Sequence, residues 1–182
     1  MKTLGIALVL LQAFGCAHRP PLSPSDVDHV EVDLLRSHPD SEKIYVQARL
    51  QDGELGLFMV DTGAGISAIS TSLADRLGVK GKATGRSLQG LGGETPLIQG
   101  DLDSIAFGGL RLENIEVAVG VPGIPTHAGW MPIDGILGNN VWGQLVMGID
   151  YPANILELSR AGTRPLPEGA QDIFFDGRHV VV

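Results

Sequence analysis

An aspartate closes an apolar run in this chain. Leu57-Phe58-Met59-Val60 leads straight into Asp61, and the small residues Thr62, Gly63 and Ala64 follow. A strand interior is a poor place for a carboxylate, because an unpaired buried charge is costly. An acid set there and followed at once by small residues is a candidate for acid–base chemistry. Asp-Thr-Gly is also a good turn, since Asp and Gly both favour turn conformations. The triplet alone does not separate the two readings.

A second segment adds to the first. Asp134-Gly135-Ile136-Leu137-Gly138 lies downstream, and Asn139-Asn140-Val141-Trp142 follows it. Together the two segments resemble the retropepsin-like aspartic proteases. Met59-Val60-Asp61-Thr62-Gly63-Ala64 matches the strand end that carries the catalytic aspartate of that family. Ile136-Leu137-Gly138 matches the apolar element packed beneath it, with a short helix next. The resemblance extends to Ile66-Ser67-Ala68-Ile69-Ser70, to Val146-Met147-Gly148-Ile149-Asp150-Tyr151 and to a closing strand, Ile155-Leu156-Glu157-Leu158. It runs from about residue 42 to about residue 160. It implies an all-β fold, a single-lobe pepsin/retropepsin-like closed β-barrel with one or two short helices. It also implies an aspartic endopeptidase.

Hydrolysis by aspartate needs two neighbouring carboxylates that share one proton. One takes a proton from water while the other donates to the scissile carbonyl. Only one Asp-Thr-Gly is present, and Asp134, Asp150 and Asp176 lack the following Thr-Gly. The resemblance therefore implies a homodimer, with Asp61 of each copy meeting at a two-fold axis. It gives Thr62 a hydroxyl hydrogen bond across the dimer, where the plain alternative is a strand-forming Thr. Gly63 would let the backbone approach the carboxylate, or serve as an ordinary turn glycine. Leu91, Gly92 and Gly93 form a candidate flap tip, or equally a loose surface hairpin. Trp130 and Met131 are candidates for a substrate pocket, although a Trp is more often core or cover.

Other chemistries fail on inspection. The His residues at 18, 29, 38, 127 and 179 do not form the paired helical spacing of a zinc protease. Gly65-Ile66-Ser67-Ala68-Ile69 lacks the closing glycine of a nucleophile elbow. Asp101-Leu102-Asp103-Ser104 opens like a calcium loop, but Ala106 and Phe107 stand where a turn glycine and a ligand belong. Gly90-Leu91-Gly92-Gly93 lacks the ending of a phosphate loop. No cofactor or metal is expected. A net charge of −8 argues against nucleic acid as a partner. A single cysteine excludes an intrachain disulfide framework and a cysteine-based zinc site.

The 182 residues suit one domain. Residues 1–17 read as an export signal. Lys2 is followed by an apolar run over residues 4–14, short of the ~20 residues a membrane span needs. Ala13-Phe14-Gly15-Cys16 resembles a bacterial lipoprotein box, which implies lipid on Cys16 and a periplasm-facing membrane anchor. Cleavage after Ala17, which removes Cys16, is the alternative. Residues 18–28 read as a Pro-rich stalk, 29–160 as the protease-like domain and 161–182 as a tail of two apolar strands about Asp176-Gly177. That tail either completes a dimer or begins a second lobe. Two rivals to the homodimeric protease stay open: a non-catalytic binding module of the cell envelope, and a half-enzyme that needs another chain.

Abundant Gly and Pro between short apolar runs favour strands and turns. Residues 30–35 alternate as a strand, and residues 44–50 form the next. Asp52-Gly53 turns the chain into residues 55–60, the strand that delivers Asp61. Residues 71–77 read as a helix capped by Ser70 or Thr71 and ended by Gly78. Residues 86–99 read as a hairpin, and residues 102–107 and 112–119 as two further strands about Gly108-Gly109. Residues 120–132 read as a loop, 138–143 as a helical turn, and 146–149 and 155–158 as the closing strands.

Overall fold

The computed structural model describes residues 27–38, 41, 43–90, 93–160, 163, 174–175 and 180–181. The expected signal segment with Cys16, most of the expected stalk, and Leu91 and Gly92 lie outside the described residues.

The alternating and β-branched runs form strands. They are β1 (His29–Arg36), β2 (Ile44–Leu50), β3 (Leu55–Val60), β4 (Ser67–Ile69), β5 (Lys82–Gly90), β6 (Gly93–Phe107) and β7 (Leu110–Val119). Next come β8 (His127–Ala128), β9 (Met131–Pro132), β10 (Gly135–Leu137), β11 (Leu145–Asp150), β12 (Ile155–Arg160), β13 (Phe174–Phe175) and β14 (Val180–Val181). Two short helices interrupt them, α1 (Thr71–Leu77) and α2 (Asn139–Trp142).

Ten strands form one sheet in the order β11-β12-β1-β2-β3-β10-β4-β7-β6-β5. A further pairing, Arg49 to Ala106 and Leu50 to Ile105, joins β2 to β6 and closes six of these strands into a barrel. The fold is thus the all-β closed barrel with two short helices that the sequence leads one to expect. β1 serves two neighbours. Its first half pairs with β12 and its second half with β2. The β11-β12-β1 ribbon is thereby continuous with the barrel. Val46, Phe58, Ile105, Phe107, Leu137 and Leu158 fill the main core. Each contributes roughly 1.5–3 kcal/mol through burial of its side chain.

Local signals explain the element ends. Gly53, at φ +85°, turns β2 into β3, and the Asp52 carboxylate accepts the Glu54 amide at 3.0 Å. Ser70 caps α1 by accepting the Leu73 amide at 3.1 Å. Gly78 ends the helix in the left-handed region at φ +69°.

Two segments differ from the sequence reading. Residues 93–107 form one continuous strand where a hairpin arm and a separate strand are expected. Gly100 sits in mid-strand where the sequence reads a break. A Cβ there would meet Val79 at 2.6 Å, so close packing accounts for the glycine. The expected loop over residues 120–132 contains the small β8–β9 hairpin. In the tail, Phe174 pairs with Val181 and Phe175 with Val180.

Candidate active site

Asp61 stands directly after the last residue of β3, half-buried. Strand alternation explains its outlook. Phe58 and Val60 point into the main core, while Leu57 and Met59 belong to a second cluster on the other face. The Asp61 backbone is held by its neighbour strand, its amide donating to the Leu137 carbonyl at 3.0 Å. Its side chain is held by its own loop. Oδ1 accepts the amides of Gly63 at 2.9 Å and Ala64 at 3.1 Å. Two donors on one oxygen fix the carboxyl rotamer. A Cβ on Gly63 would lie 3.3 Å from that same oxygen, so the glycine gives the carboxylate its room. Thr62 is exposed, and its hydroxyl has no hydrogen bond among the described residues.

The loop after Asp61 rests on the second segment. β10 pairs in parallel with β3, Ile136 against Met59 and Leu137 against Val60. Ala64 accepts the Asn139 amide at 2.7 Å. Ser67, fully buried, accepts the Gly138 amide at 2.9 Å and donates its hydroxyl to Asn140 Oδ1 at 2.8 Å. That Oδ1 also accepts the Ser67 amide at 2.7 Å, and Asn140 Nδ2 donates to the Glu116 carbonyl at 2.7 Å. Trp142 donates its indole N–H to the Leu137 carbonyl at 2.7 Å, the oxygen that also holds the Asp61 amide. A Cβ on Gly138 would come within 2.6 Å of the Ala64 oxygen, so only glycine fits where the two segments touch.

Ser67, Asn140 and Trp142 are the residues that sequence reasoning passes over as functional. Each sits inside a segment quoted for its family likeness, and that placement is the only signal for them. Asp134 has a structural task. Its carboxylate accepts the Leu57 amide at 2.9 Å, and its backbone bonds Leu57 and Ser70.

An apolar wall adjoins the motif. Ile66 and Ile136 pack with Ala68, Leu97, Ala118 and Leu88. Leu88 and Leu97 come from the β5–β6 hairpin, whose tip includes the candidate flap residue Gly93 at φ +103°. Gly90 pairs with Gly93 at that tip. On the other side, Met131 and Ile133 pack with Tyr45, Leu57 and Met59. Trp130, between β8 and β9, is neither core nor cover, because 86% of its surface is exposed. Among the described residues, no group of three or more His, Cys, Asp or Glu is placed to hold a metal ion.

Comparisons with known proteins agree with this geometry. The Aspartyl protease family profile matches residues 46–141, more than half of the chain and both segments of the site. The crystal structure of a retropepsin-like aspartic protease from Rickettsia conorii has a TM-score of 0.54 and 24% identity, over 72% of this chain and 90% of that one. The EIAV protease complexed with the inhibitor HBY-793 has a TM-score of 0.43 and 20% identity, over 58% of this chain and 90% of that one. No curated protein is similar enough in sequence to count as a match. The likeness to the Rickettsia enzyme shows the retropepsin-like fold, and the family match shows that the chain belongs to the aspartyl protease family.

Proposed function

We propose that the protein is an aspartic endopeptidase in which Asp61 of two identical chains forms the catalytic dyad. The observation that carries the reading is the mounting of Asp61. Its carboxyl is held by two amides of its own loop, half-exposed at a strand end, on a base of buried hydrogen bonds. One chain supplies a single Asp-Thr-Gly, so the second carboxylate comes from a second copy. The two acids share one proton, and their titration belongs to the pair. The ionised carboxylate takes a proton from the attacking water while the protonated one donates to the peptide carbonyl. The tetrahedral intermediate then collapses, the leaving amine taking a proton from the dyad.

In this scheme Thr62, exposed within one chain, bonds across the two-fold axis. The β5–β6 hairpin with Leu91, Gly92 and Gly93 closes over a bound peptide. The apolar wall of Ile66, Leu88, Leu97 and Ile136 favours apolar side chains in the substrate. The export reading belongs to the same proposal. Cys16 carries lipid and holds the domain at the bacterial membrane, facing the periplasm. There a shared surface raises the effective concentration of chains that pair weakly.

Peptide-library cleavage across about pH 3 to 7, beside the Asp61→Asn variant, tests the catalytic reading. Cleavage by the parent and none by a folded variant is expected. Equal cleavage by both would remove Asp61 from the mechanism. Labelling with radioactive palmitate in a bacterial host, with and without Cys16→Ser, tests the anchor. Label that persists in the variant would refute it.

A further inference from the structure

Rows of side chains cross the sheet on the face that carries Asp61. Leu35 pairs with Tyr45, and Tyr45 pairs with Met59. These three share one apolar cluster, and Met131 packs with them. Side chains of a strand return to the same face every second residue. A step of two residues toward the strand ends leads from Leu35 to Ser37, from Tyr45 to Lys43 and from Met59 to Asp61. The next row on this face is therefore Ser37, Lys43 and Asp61. The same step leads from Met131 to Gly129, and a Cβ on Gly129 would lie 3.6 Å from the Ser37 Cβ. The β8–β9 turn, with the exposed Trp130, thus sits against one end of the row, and Asp61 stands at the other.

Lys43 occupies the middle of the row. Its backbone is fixed by a neighbouring serine. The Ser41 hydroxyl accepts the Lys43 amide at 3.2 Å and donates to the Lys43 carbonyl at 3.3 Å. The Ser37 hydroxyl donates to Ser41 at 3.4 Å and ties the two sides of the turn together. The Lys43 side chain is exposed, and no acid among the described residues lies within ion-pair distance of it. Asp61, the only acid in the row, keeps its Oδ1 on two amides of its own loop. That loop offers no further acid before Asp75, in this copy or in a second one. An unpaired ammonium thus stands beside the candidate catalytic carboxylate, in a chain of net charge −8.

We propose that Lys43 is a specificity-determining residue that takes an acidic side chain, Asp or Glu, of the peptide beside the bond being cut. The inference rests on the reading of Asp61 as catalytic and names a substrate class for that site. A peptide laid along the row from Asp61 passes Lys43 on its way to the β8–β9 turn. Over most of the surface the protein's negative charge repels an acidic peptide, and at Lys43 the sign is reversed. A lysine suits the task, because a compact ammonium on a flexible stem follows a carboxylate without demanding one geometry. A bound peptide also excludes part of the water, which strengthens the pair relative to one on an open surface. Charge of this kind decides which peptide is taken more than how fast the bond breaks.

The test uses the full chain and pairs of library peptides, identical but for Glu or Gln at one position, with each position near the cut tried in turn. The parent is expected to prefer Glu about tenfold in kcat/KM at one position, through KM, and to lose that preference as salt is raised. Lys43→Gln is expected to abolish the preference at that position. Lys43→Glu is expected to turn it into a preference for Lys. A parent indifferent to Glu and Gln at every position would overturn the proposal. So would a Glu-to-Gln ratio unchanged in folded Lys43→Gln. If both peptides of a pair slow equally there, Lys43 acts on Asp61 or on the fold and not on the substrate. The same pairs bound to the Asp61→Asn protein report the ratio as affinity, without cleavage. Cleavage indifferent to Asp61→Asn would remove the dyad reading and leave that affinity ratio to be read. A protein that binds none of the peptides would overturn both.

Discussion

Asn140 Oδ1 accepts both the amide and the hydroxyl of Ser67, a residue 73 positions earlier in the chain, at 2.7 and 2.8 Å. These two bonds fasten the loop that follows Asp61 to the helix that follows Gly138. The Ser67 side chain is fully satisfied, since its oxygen also accepts the Gly138 amide. Ser67 is fully buried, out of reach of bulk water. A buried network of this kind is stabilising when complete and costly when one member is lost.

Asn140→Ala is therefore expected to destabilise the fold by about 2–3 kcal/mol, because it strands a buried amide and hydroxyl of Ser67. Asn140→Asp retains an acceptor and is expected to recover part of the loss. Urea unfolding reads both as a shift of the midpoint with the slope unchanged. A midpoint equal to that of the parent in Asn140→Ala would show that the network holds nothing in place.

Two glycines of the site separate packing from chemistry. Gly138→Ala drives a methyl against the Ala64 oxygen at 2.6 Å and the Ile66 carbonyl carbon at 2.8 Å, both backbone. It is expected to cost about 3 kcal/mol or more, or to prevent folding. Gly63→Ala meets only Asp61 Oδ1 at 3.3 Å, and its backbone is not in the left-handed region. Its stability is expected to change by less than about 1 kcal/mol, while kcat falls about tenfold or more through the displaced carboxylate. Thermal unfolding and initial rates on one cleaved peptide measure the two effects. A destabilised Gly63→Ala would place its role in the fold.

The two tryptophans provide an optical probe, since Trp130 is 86% exposed and Trp142 only 3%. Trp130→Ala is expected to leave stability within about 0.5 kcal/mol of the parent. Trp130 is joined through Met131 and Met59 to the strand that delivers Asp61. Binding of an uncleaved peptide to the Asp61→Asn protein is expected to shift the tryptophan emission to the blue. The same titration in Asp61→Asn with Trp130→Phe should show no shift. Saturable binding without any shift in the first protein would put Trp130 outside the cleft.

Local structure was legible wherever neighbours in sequence decide it. β2 spans Ile44–Leu50 and β3 spans Leu55–Val60, because apolar alternation and the Asp52-Gly53 turn are short-range signals. α1 spans Thr71–Leu77 between its Ser70 cap and Gly78, both readable from residue type. The long β6 and the β8–β9 hairpin were not legible, because distant partners decide them. Gly100 sits in mid-strand to make room for Val79, and the hairpin packs with Tyr45, Leu57 and Met59 on the face of β2 and β3 away from the main core. Propensity in a Gly- and Pro-rich stretch carries no record of such contacts.

The sequence by itself determined the order of the elements, the Asp-Thr-Gly at a strand end and the single copy of that triplet, since all three are facts of local order. The tertiary structure alone decided what surrounds them. Ser67 and Asn140 became the support of the Asp61 loop through hydrogen bonds 73 residues apart in sequence, and Trp142 through the Leu137 carbonyl that also accepts the Asp61 amide. Among the described residues, β11 became a sheet edge only once ten strands had taken their places, because a strand's neighbours are set by the closure of the whole sheet.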